Sequence, residues 1–261
     1  MRVTFDSNVW QMVVLPSLAS KTSLYDAFTT VNEALRMKQI QGFICETVGT
    51  LEAVRRAGRK AYFTSIKPIV EVKADVQGGQ ALLTINIGTN HDQHPGLPNV
   101  LRERLELAFA LGMRLMRAPH IGIPVPASFL DLSVFADEVD VPTSAARDNR
   151  WGDVVETIEQ RGVGSAVLRR LEAETGRKPE TKGEKEFVLA VAEWADGDSV
   201  AAHVAYNNDV FCTEDQGKSA RGGSILDADN RLWLAVTHNV KFATIGELAT
   251  QIRSAQVTRT Q

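Results

Sequence analysis

Acidic residues close several short apolar runs of this chain. Asp6 follows Arg2-Val-Thr-Phe5, Glu46 follows Gly42-Phe-Ile-Cys45, and Asp215 lies just beyond Val210-Phe-Cys-Thr213. Runs of this kind read as strands buried on both faces. A fourth acid, Asp198, precedes the Ala-rich segment Ser199 to Tyr206 and reads as the N-cap of a helix. In an open parallel α/β sheet the carboxyl ends of the strands share one edge, and ligands bind in the crevice there. Carboxylates gathered at such an edge repel one another and are costly to bury without a counter-ion. A hard divalent cation, Mg²⁺ or Mn²⁺, resolves this through oxygen ligands while leaving positions open for water and phosphate. The chemistry open to such a centre is the binding of metal together with a phosphate.

The elements that must position these acids alternate. Leu24 to Met37 carries apolar residues at helical spacing (Leu24, Phe28, Val31, Leu35), and Thr47 through Lys60 reads as a second helix with Leu51 and Val54 inward. The chain thus begins β-α-β-α, which favours a parallel sheet. The middle departs from this. Ile66 to Lys73 and Ala81 to Ile87 alternate apolar and polar residues around Gly78-Gly79, as a β-hairpin does. A polar loop with His91 and His94, a helix from Asn99 to Arg117, a Pro-rich connector over 119–126 and two helices, Asp148–Arg161 and Gly164–Glu174, follow. The last third returns to α/β: helices over Lys185–Trp194 and Asp198–Tyr206, a strand at 210–213, a helix over Asp229–Val236, a strand at 241–244 and a closing helix over Gly246–Arg253.

Several of these segments resemble the motifs of PIN-domain nucleases. Phe5-Asp6-Ser7-Asn8-Val9 is similar to the family's opening aspartate motif, and Glu46 matches its second acidic motif. Asp198-Ser-Val-Ala-Ala-His-Val-Ala is similar to the third, with Asp196 competing for the same role, and Phe211-Cys-Thr213-Glu214-Asp215 to the fourth. The resemblance covers roughly residues 1–60 and 180–250. It implies one PIN-like domain over 1–261, a three-layer α/β/α sandwich around a mainly parallel sheet, with a hairpin-and-helix insertion over 62–146. It further implies an endoribonuclease in which Asp6, Glu46, Asp198 and Asp215 hold Mg²⁺ or Mn²⁺, and Thr213, Ser7 and Asn8 orient carboxylates or water. A toxin held by an antitoxin protein and a standalone RNA-processing enzyme both fit it, and homodimers are common in the family. A catalytically silent scaffold binding RNA or protein is the reading from another class. The departures lie in the long middle and in Gln216-Gly217-Lys218, which stands where the family commonly has Asp-Phe.

An acidic site needs cations nearby to attract RNA. Arg55, Arg56, Arg59 and Lys60 follow Glu46 at a helical distance that spans a few nucleotides, and Lys218 with Arg221 follows Asp215. As a bland alternative the 55–60 run is a solvated helix end, where cations complement the dipole. Asp227 and Asp229 read as a turn and helix cap, and the two histidines as loop residues lacking a third metal ligand. Gly217-Lys218-Ser219 is no phosphate loop, because position 212 is Cys where that motif needs Gly.

Composition sets the frame. The chain has 261 residues, 29 Lys+Arg, 32 Asp+Glu and 44% hydrophobic residues, the profile of a globular domain with a core large enough to need no disulfide or structural metal. A net charge of −3 argues against a protein that coats nucleic acid along its whole surface. Only Cys45 and Cys212 are present, both in apolar runs, so reduced core thiols and a cytoplasmic setting are expected. No secretory leader or membrane span is expected, since Asp6 interrupts the first and no apolar stretch is long enough for the second.

Overall fold

The apolar runs at 2–5, 42–45 and 210–212 pair as neighbouring strands, which brings together chain segments some 200 residues apart. A computed structural model describes residues 1–66, 68–77, 80–89, 94–119, 123–136, 141–174, 184–217 and 223–259. In chain order the elements are β1 (Arg2–Phe5), α1 (Trp10–Val14), α2 (Tyr25–Arg36), β2 (Gln41–Cys45), α3 (Thr47–Thr50), α4 (Arg56–Ser65), β3 (Pro68–Gln77), β4 (Gln80–Thr89), α5 (Asn99–Ala110) and β5 (Arg114–Met116). They continue as α6 (Val141–Gln160), α7 (Ser165–Glu174), α8 (Glu184–Ala205), β6 (Val210–Cys212), α9 (Ala228–His238), β7 (Phe242–Ala243) and α10 (Ile245–Arg259).

Five strands form a parallel sheet in the order β5-β2-β1-β6-β7. Side chains alternate across it. Val3, Phe5, Ile44, Leu115, Val210 and Cys212 pack with Trp10, Phe28, Val31, Leu105 and Leu248 from α1, α2, α5 and α10. On the other face Phe211 meets Val200, Leu234 and Val154, and Phe43, Cys45 and Met116 meet Ala202, Ala205 and Tyr206. Helices therefore cover both faces, giving a three-layer α/β/α sandwich as expected from the alternating elements. Thr4 is a polar residue in this core at 0% exposure. Its hydroxyl lies 2.8 Å from His203 Nδ1 and accepts from Asn208 Nδ2 at 2.8 Å, so no buried polar atom is stranded there.

Several expectations shift. The helix expected to run from 99 to 117 stops at Ala110, because Gly112 turns the chain with φ +86. Arg114 to Met116 then pairs with β2 as an edge strand of the central sheet. The span read as an insertion, 62–146, thus contributes a strand to the core, and its separate part is the antiparallel hairpin of β3 and β4. The helix expected over 47–60 is two pieces, α3 and α4, with a turn over 51–55. The two helices expected on either side of residue 196 are one, α8.

Both cysteines are buried and free. Burial pushes each thiol well above its ordinary range, so neither is a nucleophile. Among the described residues no helix is long and apolar enough to cross a membrane.

Candidate active site

The sheet order reverses beside β1: β2 lies on one side and β6 on the other, and the crevice at such a switch point is where open α/β sheets bind ligands. Asp6 and Thr213 are the residues that leave β1 and β6 at that crevice. The Asp6 amide donates to Cys212 O at 3.0 Å, which aligns the two strand ends. Asp6 is 3% exposed, and its carboxylate is held on both oxygens. Oδ2 accepts from Thr213 Oγ1 at 2.6 Å and Asn8 Nδ2 at 2.8 Å, while Oδ1 accepts from Ser7 N at 2.7 Å. Asn8 Oδ1 in turn accepts from Glu214 N at 3.2 Å. Ser7, Asn8 and Thr213 thus all hold the Asp6 carboxylate. Thr213 Oγ1 also accepts from Asp215 N at 3.0 Å, and Asp215 Oδ1 accepts from Gly217 N at 2.8 Å. Gly217 has φ +66, and a Cβ there would stand 2.6 Å from Asp227 N, so only glycine lets this turn lie against the start of α9.

Three further acids join Asp6 and Asp215, and the sequence reading had placed none of them in the primary set. Burial raises the Asp196 carboxyl well above the usual carboxylate range, and the charges of Asp6, Glu52, Glu193 and Asp215 raise it further. Glu52 is pushed up to about 7 by burial and then by Asp6, against a hydrogen bond from the Ser7 side chain and the charge of Arg59. Glu193 is pushed up to about 7 by burial, although Ile225 N at 2.5 Å and Gly164 N at 3.3 Å donate to its Oε1. Asp6 is raised too, burial outweighing its hydrogen bonds. Each carboxyl is raised because desolvation and like charges both penalise the anion. Arg231 is the neighbouring cation. It donates through Nε to Leu226 O at 2.8 Å and through Nη2 to Asp215 O, and its charge favours the ionised form of Asp6.

Glu46, at the end of β2 beside β1, and Asp198 are the other two acids expected at the site. Glu46 is 4% exposed, and its Oε1 accepts from Ala118 N at 2.6 Å, tying β2 to the segment after β5. Asp198 is 2% exposed in the middle of α8, so it does not cap a helix start. Both charges bear on the Cys45 thiol, whereas those that raise Asp196 come from Asp6, Glu52, Glu193 and Asp215. Glu52, six residues after Glu46, and Asp196, two before Asp198, are the acids on which the charge of Asp6 bears.

The expected cation run also divides. Arg59 is 6% exposed and turned inward, donating through Nε to Val54 O at 3.0 Å and through Nη2 to Glu52 O at 2.6 Å. It fixes the turn that carries Glu52 and is not placed for phosphate contact. Arg55 is exposed and Lys60 half-buried, and Arg56 opens α4. Lys218, Arg221 and His91 lie outside the described residues. His94 Nδ1 accepts from Gly96 N at 3.0 Å, a loop contact. Asp227 caps α9 by accepting from Asn230 N at 2.8 Å.

Among the described residues no three His, Cys, Asp or Glu side chains stand close enough to share one metal ion. The acids whose charges bear on Asp196 nonetheless all offer carboxylate oxygens, the donors a hard cation takes. Mg²⁺ keeps several waters and is commonly held by one or two carboxylates, so a spread group of acids fits it better than it fits a fully protein-coordinated ion. Comparison with family models, curated proteins and solved structures gives no match for this chain.

Proposed function

We propose that this chain is a PIN-like, Mg²⁺- or Mn²⁺-dependent endonuclease of the cytoplasm acting on single-stranded RNA. Its acids are Asp6, Glu52, Asp196 and Asp215, with Glu193 beside them. The observation that carries the reading is the convergence of these carboxyls from four parts of the chain at the β1/β6 switch point, where burial first and then the charges of the other four raise Asp196. A fold gains no stability from buried like charges, so such an arrangement points to a cationic ligand. A bound divalent ion would supply Lewis acidity and an activated water. Asp6, oriented by Thr213, Asn8 and Ser7, would bind it together with Asp215 or Asp196. Glu52 and Glu193, both near 7, can accept or give a proton at neutral pH, the range in which a general acid or base works best. Arg231, whose charge bears on Asp6 and Asp215, would meet a phosphate oxygen.

Cleavage of a mixed RNA and DNA panel with Mn²⁺, Mg²⁺ or EDTA tests this. RNA should be cut only with metal, and Asp6→Asn, Asp196→Asn and Asp215→Asn should each lower the rate about 10²–10³-fold, the scale of losing one electrostatic stabiliser. Thr213→Val should cost about 10–100-fold through misorientation of Asp6. Glu46→Gln should keep its activity, while Glu52→Gln should not. Cutting that survives Asp6→Asn and Asp215→Asn would overturn the proposal. The second reading is a silent scaffold. It predicts RNA binding without cleavage under every metal condition.

A further inference from the structure

Next to Glu52 the structure opens a cleft of about 310 Å³ whose wall includes Val54, Arg55, Tyr62, Pro95, Leu97 and Pro98. That volume is at the small end of small-molecule sites and suits one compact ring system. Ala53 on the wall directly follows Glu52, so the turn that carries this acid also forms one side of the cleft. It is also a built wall. Arg59 clamps the carbonyls of both Glu52 and Val54, holding carboxylate and cleft in one fixed turn. Tyr62 is set edge-on against Phe63 at 5.1 Å and His94 at 6.1 Å, which fixes its ring plane. Gly58, also on the wall, has φ +104, and a Cβ there would meet nothing within 4 Å, so the cleft is open on that side.

The lining chemistry selects the ligand. Flat apolar surfaces, an aromatic ring and a guanidinium at the exposed rim suit a planar, weakly polar ring joined to an anion. An acyl chain would have no use for Arg55, and a free anion none for Tyr62. Single-stranded RNA offers this combination, because its bases splay out to stack on aromatic rings while Arg takes the backbone. We propose that the cleft holds the nucleobase of the nucleotide flanking the cut, with Arg55 on its phosphate. This rests on the ribonuclease reading and extends it to a base preference set by Tyr62. Phosphate contact at Arg55 also offsets the repulsion that the five neighbouring acids exert on the RNA backbone.

The test uses the full chain carrying Asp6→Asn, titrated calorimetrically with AMP, UMP, adenosine and ribose 5-phosphate. The nucleotides should bind at least about tenfold tighter than ribose 5-phosphate, the effect of one stacked base. Tyr62→Ala should remove that gap, and Arg55→Ala should weaken AMP while leaving adenosine unchanged. If Tyr62→Ala does not fold, Arg55→Glu, at an exposed position, carries the same comparison of AMP with adenosine. In the active chain, Tyr62→Ala should erase the base preference beside the cut while metal dependence stays. AMP binding no tighter than ribose 5-phosphate, or a cut-site preference unmoved by Tyr62→Ala, overturns the proposal. Metal-dependent cleavage alongside that first result removes the cleft and leaves the nuclease. Nucleotide binding without cleavage of any RNA removes the nuclease and leaves the cleft as a nucleotide site.

Discussion

Asp196 is a half-buried carboxyl raised by desolvation and by the charges of four other acids, and that costs the fold stability whenever it ionises. A carboxyl whose folded pKa is raised contributes fully below its ordinary value and loses that contribution as pH rises through the folded value. Asp196→Asn should therefore match the native chain in urea denaturation near pH 4 and become more stable as pH rises, by about 0.5–2 kcal/mol at pH 8. Mn²⁺ should close the gap by stabilising the native chain and not the variant. A gap independent of pH and metal would mean that Asp196 is an ordinary packed residue. The same two properties explain what the sequence could reveal. Asp6, Thr213 and Asp215 were legible because strand ends fix their place. Glu52 was not, because a helix assumed over 47–60 hid the turn at 51–55 that Arg59 holds in place. Arg231 carries no local signal at all. It reaches Asp215 O from the start of α9.

α8 shows why a glycine misleads at the scale of elements. Asp196-Gly-Asp198 reads as the gap between two helices, yet α8 runs unbroken through it. Gly197 is there for contact: a Cβ would stand 3.0 Å from Gly164 Cα, so the helix and the turn before α7 touch backbone to backbone. That contact brings Glu193 to the Gly164 and Ile225 amides, and Asp196, one turn on, towards β1. Two substitutions separate the roles of glycine in this layer. Gly164 has φ +63 and its added Cβ would lie 2.8 Å from Ile158 Cγ2, so Gly164→Ala should destabilise by about 1–2 kcal/mol in urea denaturation. Gly152, inside α6 with nothing within 4 Å of an added Cβ, should give a Gly152→Ala variant about 0.5–1 kcal/mol more stable. Equal effects of like sign would show that the close approach is not maintained in solution. The strands were legible from their composition, with one exception. β5, Arg-Leu-Met, has no β-branched residue, and its pairing with β2 is a property of the whole sheet.

For the molecule as a whole, two sets of buried groups pull stability in opposite directions across the same pH range. His203 lies 2% exposed between the Thr4 hydroxyl and the edge of Phe211, and burial lowers its pKa to about 4. The Asn208 amide donates to the Thr4 hydroxyl, so the hydroxyl proton is directed at Nδ1 and the ring is held neutral. A depressed pKa contributes stability above the ordinary value of 6.5 and loses it as pH falls toward 4, a loss of about 3 kcal/mol. Glu52 and Glu193 run the other way, stabilising below 4.5 and losing that contribution as pH rises toward 7. In EDTA the opposing contributions should therefore partly offset each other between about pH 4.5 and 6.5, with the imidazole's acid limb alone below that window and the carboxyls' alkaline limb alone above it. His203→Gln, which keeps a neutral hydrogen-bonding side chain, should flatten the acid limb and leave the alkaline one. Glu193→Gln should do the reverse, and Mn²⁺ should lift the alkaline limb alone. Calorimetric melting from pH 4 to 8 reads all three. An acid limb unchanged in His203→Gln would mean that the imidazole is charged in the folded chain, and that the β1–α8 layer is packed differently from the structure described.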